Sequence, residues 1–278
     1  MNLKLELFYL RKACFEYHAP FKYLYNKYLI APRILKTNKI LDQPINHQDL
    51  SVHILTCHRD LVMFIWSLAS FYKNMNIIGQ LYIHSDGSLT QKDKSILNKL
   101  FPSAKIVEKK SDYHYLLLQK LFDPYYLSDK KIHLIIDSDL LWFKNSKEIE
   151  GEIKNNAQNS LMMVGQGIGC PVYFNNNKKL SAELSYLNSG IVLYHKDNFN
   201  LDKLEKYLAH IDNTNLANKH FVEQAGYASC LENIKPLPES KYIIKGPVQA
   251  ETIVKHYTSP RRPLFYIEGL KILAKKSL

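Results

Sequence analysis

Two aspartates, Asp137 and Asp139, close the apolar run KIHLIIDSDLLWF at residues 131–143. Carboxylates are hard oxygen donors, and a pair of them suits Mn²⁺ or Mg²⁺, which bind through a few carboxylates together with phosphate oxygens. The run reads as a buried strand. Its period of two sends both acidic side chains to one side of an extended chain, while Ser138 points the other way. A cation held there would in turn hold the diphosphate of a nucleotide. The same triplet fits an ordinary strand-end turn, because Asp and Ser favour turns, so the rest of the chain must decide.

The preceding residues alternate between strand and helix. SVHILTC (51–57) is β-branched and apolar enough for a strand, and 60–74 reads as a helix. LYIHSDG (81–87) reads as a strand running into a turn, and 90–101 as a helix with Thr90 at its N-cap. AKIVE (104–108), a helix over 111–121 and IHLIID (132–137) continue the series. Such alternation over short connections predicts a mixed, mostly parallel α/β sheet flanked by helices. Ligands of these sheets bind beyond the carboxyl ends of the strands, where Thr56, Asp86 and Asp137 all fall. Thr56 and Asp86 are thereby candidates to meet a nucleobase or ribose. Past residue 145 the pattern predicts a helix at 146–155 and short apolar pieces at 161–164 and 171–174. A strand at 190–195, helices near 201–211 and 217–231, and short strands at 241–245 and 252–257 follow.

A chain of 278 residues buries a full core, and its formal net charge of +11 favours anionic partners such as a nucleotide, nucleic acid or anionic lipid. A generally Lys- and Asn-rich surface gives the same charge with no partner at all. Cys14, Cys57, Cys170 and Cys230 have no zinc-site spacing and read as reduced thiols. The start of the chain lacks a signal-peptide pattern, and the apolar stretch at 61–72 is too short to span a bilayer. The expectation is a cytoplasmic protein, soluble or peripheral at the inner membrane face. Residues 1–45 form a separate Tyr- and Lys-rich helical extension before a main domain at 46–278. There Arg11, Lys12, Lys22, Lys27 and Arg33 are interleaved with Phe and Tyr, a pattern that suits either an anionic membrane or packing against the main domain.

Four features in order, IIDSDLLWF (135–143), YLNSGIVLYH (186–195), the pair Glu223-Gln224 and HYTSPRRP (256–263), resemble the GT-A class of nucleotide-sugar glycosyltransferases. The resemblance is to the group that includes glycogenin-like enzymes and bacterial lipopolysaccharide galactosyl- and glucosyltransferases, and it spans about residues 51 to 264. It implies a GT-A fold and a metal-dependent, retaining transfer of a hexose from a nucleotide diphosphate sugar, such as a UDP-sugar, to an acceptor hydroxyl. It also implies that Asp137, Asp139 and His256 bind Mn²⁺ or Mg²⁺, a set of ligands whose chemistry suits such ions. Ser138 and Asn188 would contact the donor, with Gly190 allowing close approach of the backbone. Glu223 and Gln224 would face the sugar and its reacting carbon, in a place where relatives carry Asp-Gln. Lys120 sits where relatives keep a basic residue, so it either meets the donor or is a solvated helix lysine. Arg262 would grip the diphosphate; here the chain reads Arg262-Pro263-Leu264 where relatives usually carry Lys-Pro-Trp, and Ser259 replaces a glycine. Arginine keeps the planar fork that binds phosphate.

Three rivals compete. A haloacid-dehalogenase-like phosphatase places Asp-x-Asp after its first strand, whereas at least three strands precede it here. A nucleotidyltransferase would begin with a Gly-rich phosphate loop, which residues 55–62 do not contain. A nucleic-acid-binding protein is suggested only by the charge and the 19 tyrosines and has no recognised motif. The expected partners are a nucleotide sugar and a glycan, lipid-linked or protein acceptor, with no nucleic acid.

Overall fold

The computed structural model describes residues 3–108, 117–165, 186–211 and 219–275. Helices α1 (Leu3–Phe15) and α2 (Pro20–Tyr25) come first, and helical turns continue through residue 36. The main fold begins with β1 (Leu50–Thr56), α3 (Leu61–Asn74), β2 (Gln80–Ser85), α4 (Gln91–Leu100) and β3 (Lys105–Val107). It continues with α5 (Leu118–Leu127), β4 (Ile132–Ile136), β5 (Leu140–Trp142), α6 (Lys147–Lys154), β6 (Ser160–Val164) and β7 (Leu187–His195). Helices α7 (Leu201–Ala209) and α8 (Lys219–Cys230), strands β8 (Ile234–Pro236), β9 (Tyr242–Ile243) and β10 (Val254–His256), and helix α9 (Leu270–Lys275) follow.

A seven-stranded sheet runs in the order β3-β2-β1-β4-β7-β6-β8. Strand β7 is antiparallel to both β4 and β6, and every other pairing in this sheet is parallel. Helices cover both faces, so β4 is buried throughout and reads as a continuous apolar run. Alternation along the strands still sorts the side chains. Val52, Ile54, Leu134 and Ile136 join the core shared with α3 and α4, while Ile135 and Val192 join the one shared with α5, α7 and α8.

On that second face the sheet buries a polar chain. His84 Nδ1 lies 3.2 Å from Asp123 on α5, and its Nε2 lies 2.9 Å from His53 Nδ1. Ser51 Oγ bridges His53 and His133 at 2.9 and 3.0 Å. Burial lowers the pKa of both His53 and His133, the latter to about 3.

The sequence-based elements fall close to the observed ones, and Thr90 caps α4 with a reciprocal bond to Asp93. Three differences matter. First, β4 ends at Ile136, so Asp137–Asp139 is a turn into β5 rather than extended strand. Second, the helix expected over 111–121 runs from Leu118 to Leu127 where described, with Pro124 inside it. Proline cannot donate to the carbonyl of Lys120 one turn earlier, and the Tyr227 hydroxyl of α8 takes that acceptor instead. Third, β5, β8 and the helical segment after Arg262 were not anticipated. Packing of the first helices against the main domain, one of the two readings of residues 1–45, is what the structure shows: Tyr9, Ala13 and Tyr23 are buried with Tyr257, Phe265 and Tyr266. The apolar piece expected at 171–174, residues 217–218 and Cys170 lie outside the described residues. Cys14, Cys57 and Cys230 are free thiols.

Candidate active site

Beyond the carboxyl ends of β1, β2 and β4 lies a cleft of about 570 Å³, a size typical of small-molecule sites. Its floor is built by two antiparallel pairings. Pairing of β5 with β10 sets His256 opposite Leu140, and the Tyr257 amide donates to Asp139 O at 2.9 Å. Pairing of β4 with β7 brings the Asp137 amide within 2.9 Å of Gly190 O. The turn and the tail of the chain therefore meet. His256 Nε2 lies 3.3 Å from Asp137 Oδ2 and 3.0 Å from Asp139 Oδ1. One ligand atom from each of the three residues falls within 4.8 Å of the others.

The rest of the imidazole is oriented. Its Nδ1 lies 3.1 Å from Asn188 Oδ1, which also accepts from the Gly190 amide at 2.9 Å. Asn188 Nδ2 donates to Gln224 on α8 at 3.0 Å. A Cβ on Gly190 would lie 2.5 Å from His256 Nδ1, so the ring occupies the space that any side chain there would fill. Burial alone would lower the His256 pKa, yet Asp139 and then Asp137 lift it to about 9. Nε2 thus sits between two carboxylates, in the kind of electronegative pocket a divalent cation fills. The donor set, two carboxylates and an imidazole with its far nitrogen tied down, fits Mn²⁺ or Mg²⁺.

A second layer fixes the acids. Lys120 is 6% exposed, with Nζ 2.6 Å from Asp137 Oδ1 and 2.9 Å from Glu223 Oε1. The reading of Lys120 as a solvated helix lysine is therefore wrong: α5 packs this residue against β4 and α8. Burial would raise the Asp137 pKa, but Lys120 and then His256 hold it well below the usual carboxylate range. Glu223 is lifted to about 6, first by burial and then by the Asp137 charge, against the pull of Lys120. Ser189 Oγ donates to Glu223 at 2.8 Å. Adjacent residues Asn188 and Ser189 both reach α8 because the register of β7 against β6 slips at this point.

Arg262 Nη1 donates to Asp60 at 2.9 Å, and its Nε and Nη2 reach Asp139 Oδ2 at 3.3 Å. Arg59 grips the same Asp60 through Nε and Nη2 at 3.0 and 3.2 Å. Thr56 is buried and its Oγ1 has no hydrogen-bond partner among the described residues. Asp86 Oδ1 accepts from the Ser88 amide at 2.8 Å.

Of the residues singled out in the sequence, Thr56, Asp86, Lys120, Asp137, Ser138, Asp139, Asn188, Glu223, Gln224, His256 and Arg262 all line this cleft. Gly190 does not. It lies beneath His256, and the close approach it permits is by that ring rather than by a ligand. Asn188, expected to contact the donor, lines the cleft while its amide also bonds Gly190, His256 and Gln224. Arg59, Asp60, Ser189 and Arg261 also line the cleft and were not read as site residues. The available signal for Arg59 and Asp60 was position, directly after the carboxyl end of a parallel strand.

No family model matches the chain, and no curated protein matches it. Among solved structures, the bifunctional glycosyltransferase WbbM, in its apo form, superposes with a TM-score of 0.58 at 11% identity, over 86% of this chain and 53% of that one. The chain thus spans about half the length of WbbM. The galactosyltransferase LgtC, in complex with donor and acceptor sugar analogues, gives 0.48 at 8% identity, covering 75% of this chain and 87% of that one. Mouse xyloside xylosyltransferase 1, also apo, gives 0.49 at 12%, covering 77% and 99%. At such identities the likeness to WbbM is one of fold, and the fold is the GT-A type that the motifs implied.

Proposed function

We propose that the protein is a metal-dependent glycosyltransferase that moves a hexose from a nucleotide diphosphate sugar, of the UDP-sugar type, to an acceptor hydroxyl with retention. One observation carries this reading: Asp137, Asp139 and His256, distant in sequence, present ligand atoms within 4.8 Å of one another on the floor of the cleft. The charge balance of the cleft points the same way. Asp60, Asp86, Asp137, Asp139 and Glu223 face four fixed cations, Arg59, Lys120, Arg261 and Arg262. With acids and cations this closely balanced, the site has no surplus of positive charge for a diphosphate, and a divalent ion beside it would supply one.

The bound ion would supply Lewis-acid stabilisation of the departing diphosphate. The chain's own residues prepare for that event. Asn188 accepts at His256 Nδ1 and so leaves Nε2 free to serve as the ligand atom. Lys120 keeps Asp137 ionised inside the protein. Arg262 and its neighbours Arg59 and Arg261 are positioned to exchange carboxylate partners for phosphate oxygens, an exchange their planar donor forks allow. Thr56 offers an unused buried hydroxyl, and Asp86 an acceptor, to the nucleoside. Glu223 and Gln224 face the sugar, where their charge and amide act on the reacting carbon. Ser138, between the two acids, borders the same space.

The phosphatase reading has no support from topology, since Asp137 follows the fourth strand in the chain. Among the described residues no helix is long and apolar enough to cross a membrane, and we place the enzyme in the cytoplasm. The test is a panel of nucleotide sugars incubated with Mn²⁺, following release of nucleotide diphosphate. Turnover of a UDP-hexose that needs Mn²⁺ and disappears in a folded Asp139→Ala variant is expected. Full activity in that variant would overturn the assignment.

A further inference from the structure

Nine of the twelve large hydrophobic side chains exposed among the described residues lie between residues 3 and 29. Leu7 and Phe15 stand on the outer side of α1 at 56% and 76% exposure, and Phe21 of α2 reaches 85%. The inner side of the same helices is apolar as well, with Tyr9, Ala13 and Tyr23 buried against the segment after Arg262. A surface helix ordinarily turns polar residues outward, and a concentration of this kind marks an interaction surface. Helix α1 meets the helical turn after α2 where the Tyr28 hydroxyl donates to Glu6 at 3.0 Å, and Lys27 pairs with the same carboxylate. Lys12 is likewise paired, with Glu16. Lys4, Arg11, Lys22 and Arg33 are exposed on the same stretch of chain, Lys4 and Arg11 at helical spacing among the exposed apolar residues of α1, and residues 1–45 hold eight Lys and Arg against three acids.

We infer that this face docks on an anionic lipid bilayer, inserting Leu7, Phe15, Phe21 and their neighbours among the acyl chains while the long Lys and Arg side chains interspersed with them extend to the headgroups. Charge selects this occupant. A second copy in a two-fold dimer would set the same excess of cations against itself, whereas an anionic bilayer complements both the apolar side chains and the cations among them. The docked face is coupled to the cleft. Tyr9 Oη lies 3.2 Å from Ser259 Oγ and the Tyr17 hydroxyl donates to Pro260 O at 3.3 Å. Both Ser259 and Pro260 line the cleft, so docking sets one wall of the cleft close to the lipid surface. The inference stands whether or not the glycosyltransferase reading holds.

The experiment is flotation of the full chain with vesicles of phosphatidylglycerol and phosphatidylcholine in equal parts, and with vesicles of phosphatidylcholine alone. The wild type is expected to float with the anionic vesicles, more weakly with the neutral ones, and less as salt rises. The double variant Leu7→Glu, Phe21→Glu alters two solvent-exposed sites, so its melting temperature should match the wild type. Its vesicle partitioning should fall by at least on the order of a hundredfold. If that pair does not fold, Arg11→Glu with Lys22→Glu tests the same face and should abolish the preference for anionic vesicles. The inference fails if the wild type ignores anionic vesicles or if the folded variants bind them as it does. It fails equally if the wild type is a dimer, Leu7→Glu, Phe21→Glu makes it monomeric, and neither binds lipid.

Discussion

Replacing Gly190 by alanine probes how His256 is held. The added Cβ would sit 2.5 Å from His256 Nδ1, 2.8 Å from Cε1 and 2.9 Å from Asn188 Oδ1. Normal contact requires the ring to retreat by about 1 Å, and the ring is only 4% exposed, so it has little room to move. The retreat pulls Nδ1 from Asn188 and Nε2 from the two aspartates. Overpacking of this kind costs about 1–3 kcal/mol, which for a chain of this length lowers Tm by about 2 to 12 °C. Loss of an outer partner of a ligand histidine typically costs about 10- to 100-fold in metal affinity. Isothermal titration of Mn²⁺ in the presence of UDP, alongside thermal melts, reads both effects. Gly151→Ala is the control: nothing lies within 4 Å of its would-be Cβ. It should gain about 0.5–1 kcal/mol from helix propensity and leave the Mn²⁺ titration unchanged. An alanine at 190 that binds Mn²⁺ with wild-type affinity and melts at the wild-type temperature would refute the reasoning.

Lys120→Met leaves Asp137 and Glu223 facing one another in a buried site, so urea denaturation should show a loss of about 3–5 kcal/mol; a change below about 1 kcal/mol would mean the cation is not holding the acids. The buried His53 and His133 have folded pKa values below their unfolded value of about 6.5, so the unfolded chain binds more protons as pH falls below that value. Each then removes up to about 1.4 kcal/mol of stability per pH unit, while Glu223, raised to about 6, offsets one of them between about pH 6 and 4.3. Urea midpoints at about pH 6 and pH 4.5 should fall for the wild type, and His133→Gln should remove most of that fall; an unchanged slope in the variant contradicts it. Arg262→Lys keeps the charge but loses the fork, so UDP should bind about tenfold more weakly in the presence of Mn²⁺; titration showing equal affinity would exclude Arg262 from the diphosphate.

Local features of this fold were legible in the sequence because local interactions dictate them. Thr90 and Asp93 sit three residues apart and cap α4 reciprocally, and the apolar runs at β1 and β4 follow from a sheet covered on both faces. The acids at 137 and 139 were visible too, although the turn that holds them was read as extended strand. Contacts across long stretches of chain left no such trace. Nothing in GIVLYH reveals that β7 runs antiparallel to β4, or that its slip against β6 turns both Asn188 and Ser189 toward α8. Lys120 resembled any helix lysine until α5, β4 and α8 closed around it. The helix expected to end at residue 121 runs on past Pro124 to Leu127, and the Tyr227 hydroxyl shows how it continues. Resemblance of short motifs, rather than periodicity, singled out His256, and the β5–β10 pairing explains its arrival beside the two acids.

The central claim is that Asp137, Asp139 and His256 share one divalent ion in front of a nucleotide diphosphate. Anomalous diffraction from crystals grown with Mn²⁺ and UDP tests it most directly. A single manganese peak is expected, about 2.0–2.3 Å from a carboxylate oxygen of each aspartate and from His256 Nε2, with diphosphate oxygens completing the shell. A manganese peak elsewhere, or bound UDP with no metal among these three side chains, would contradict it.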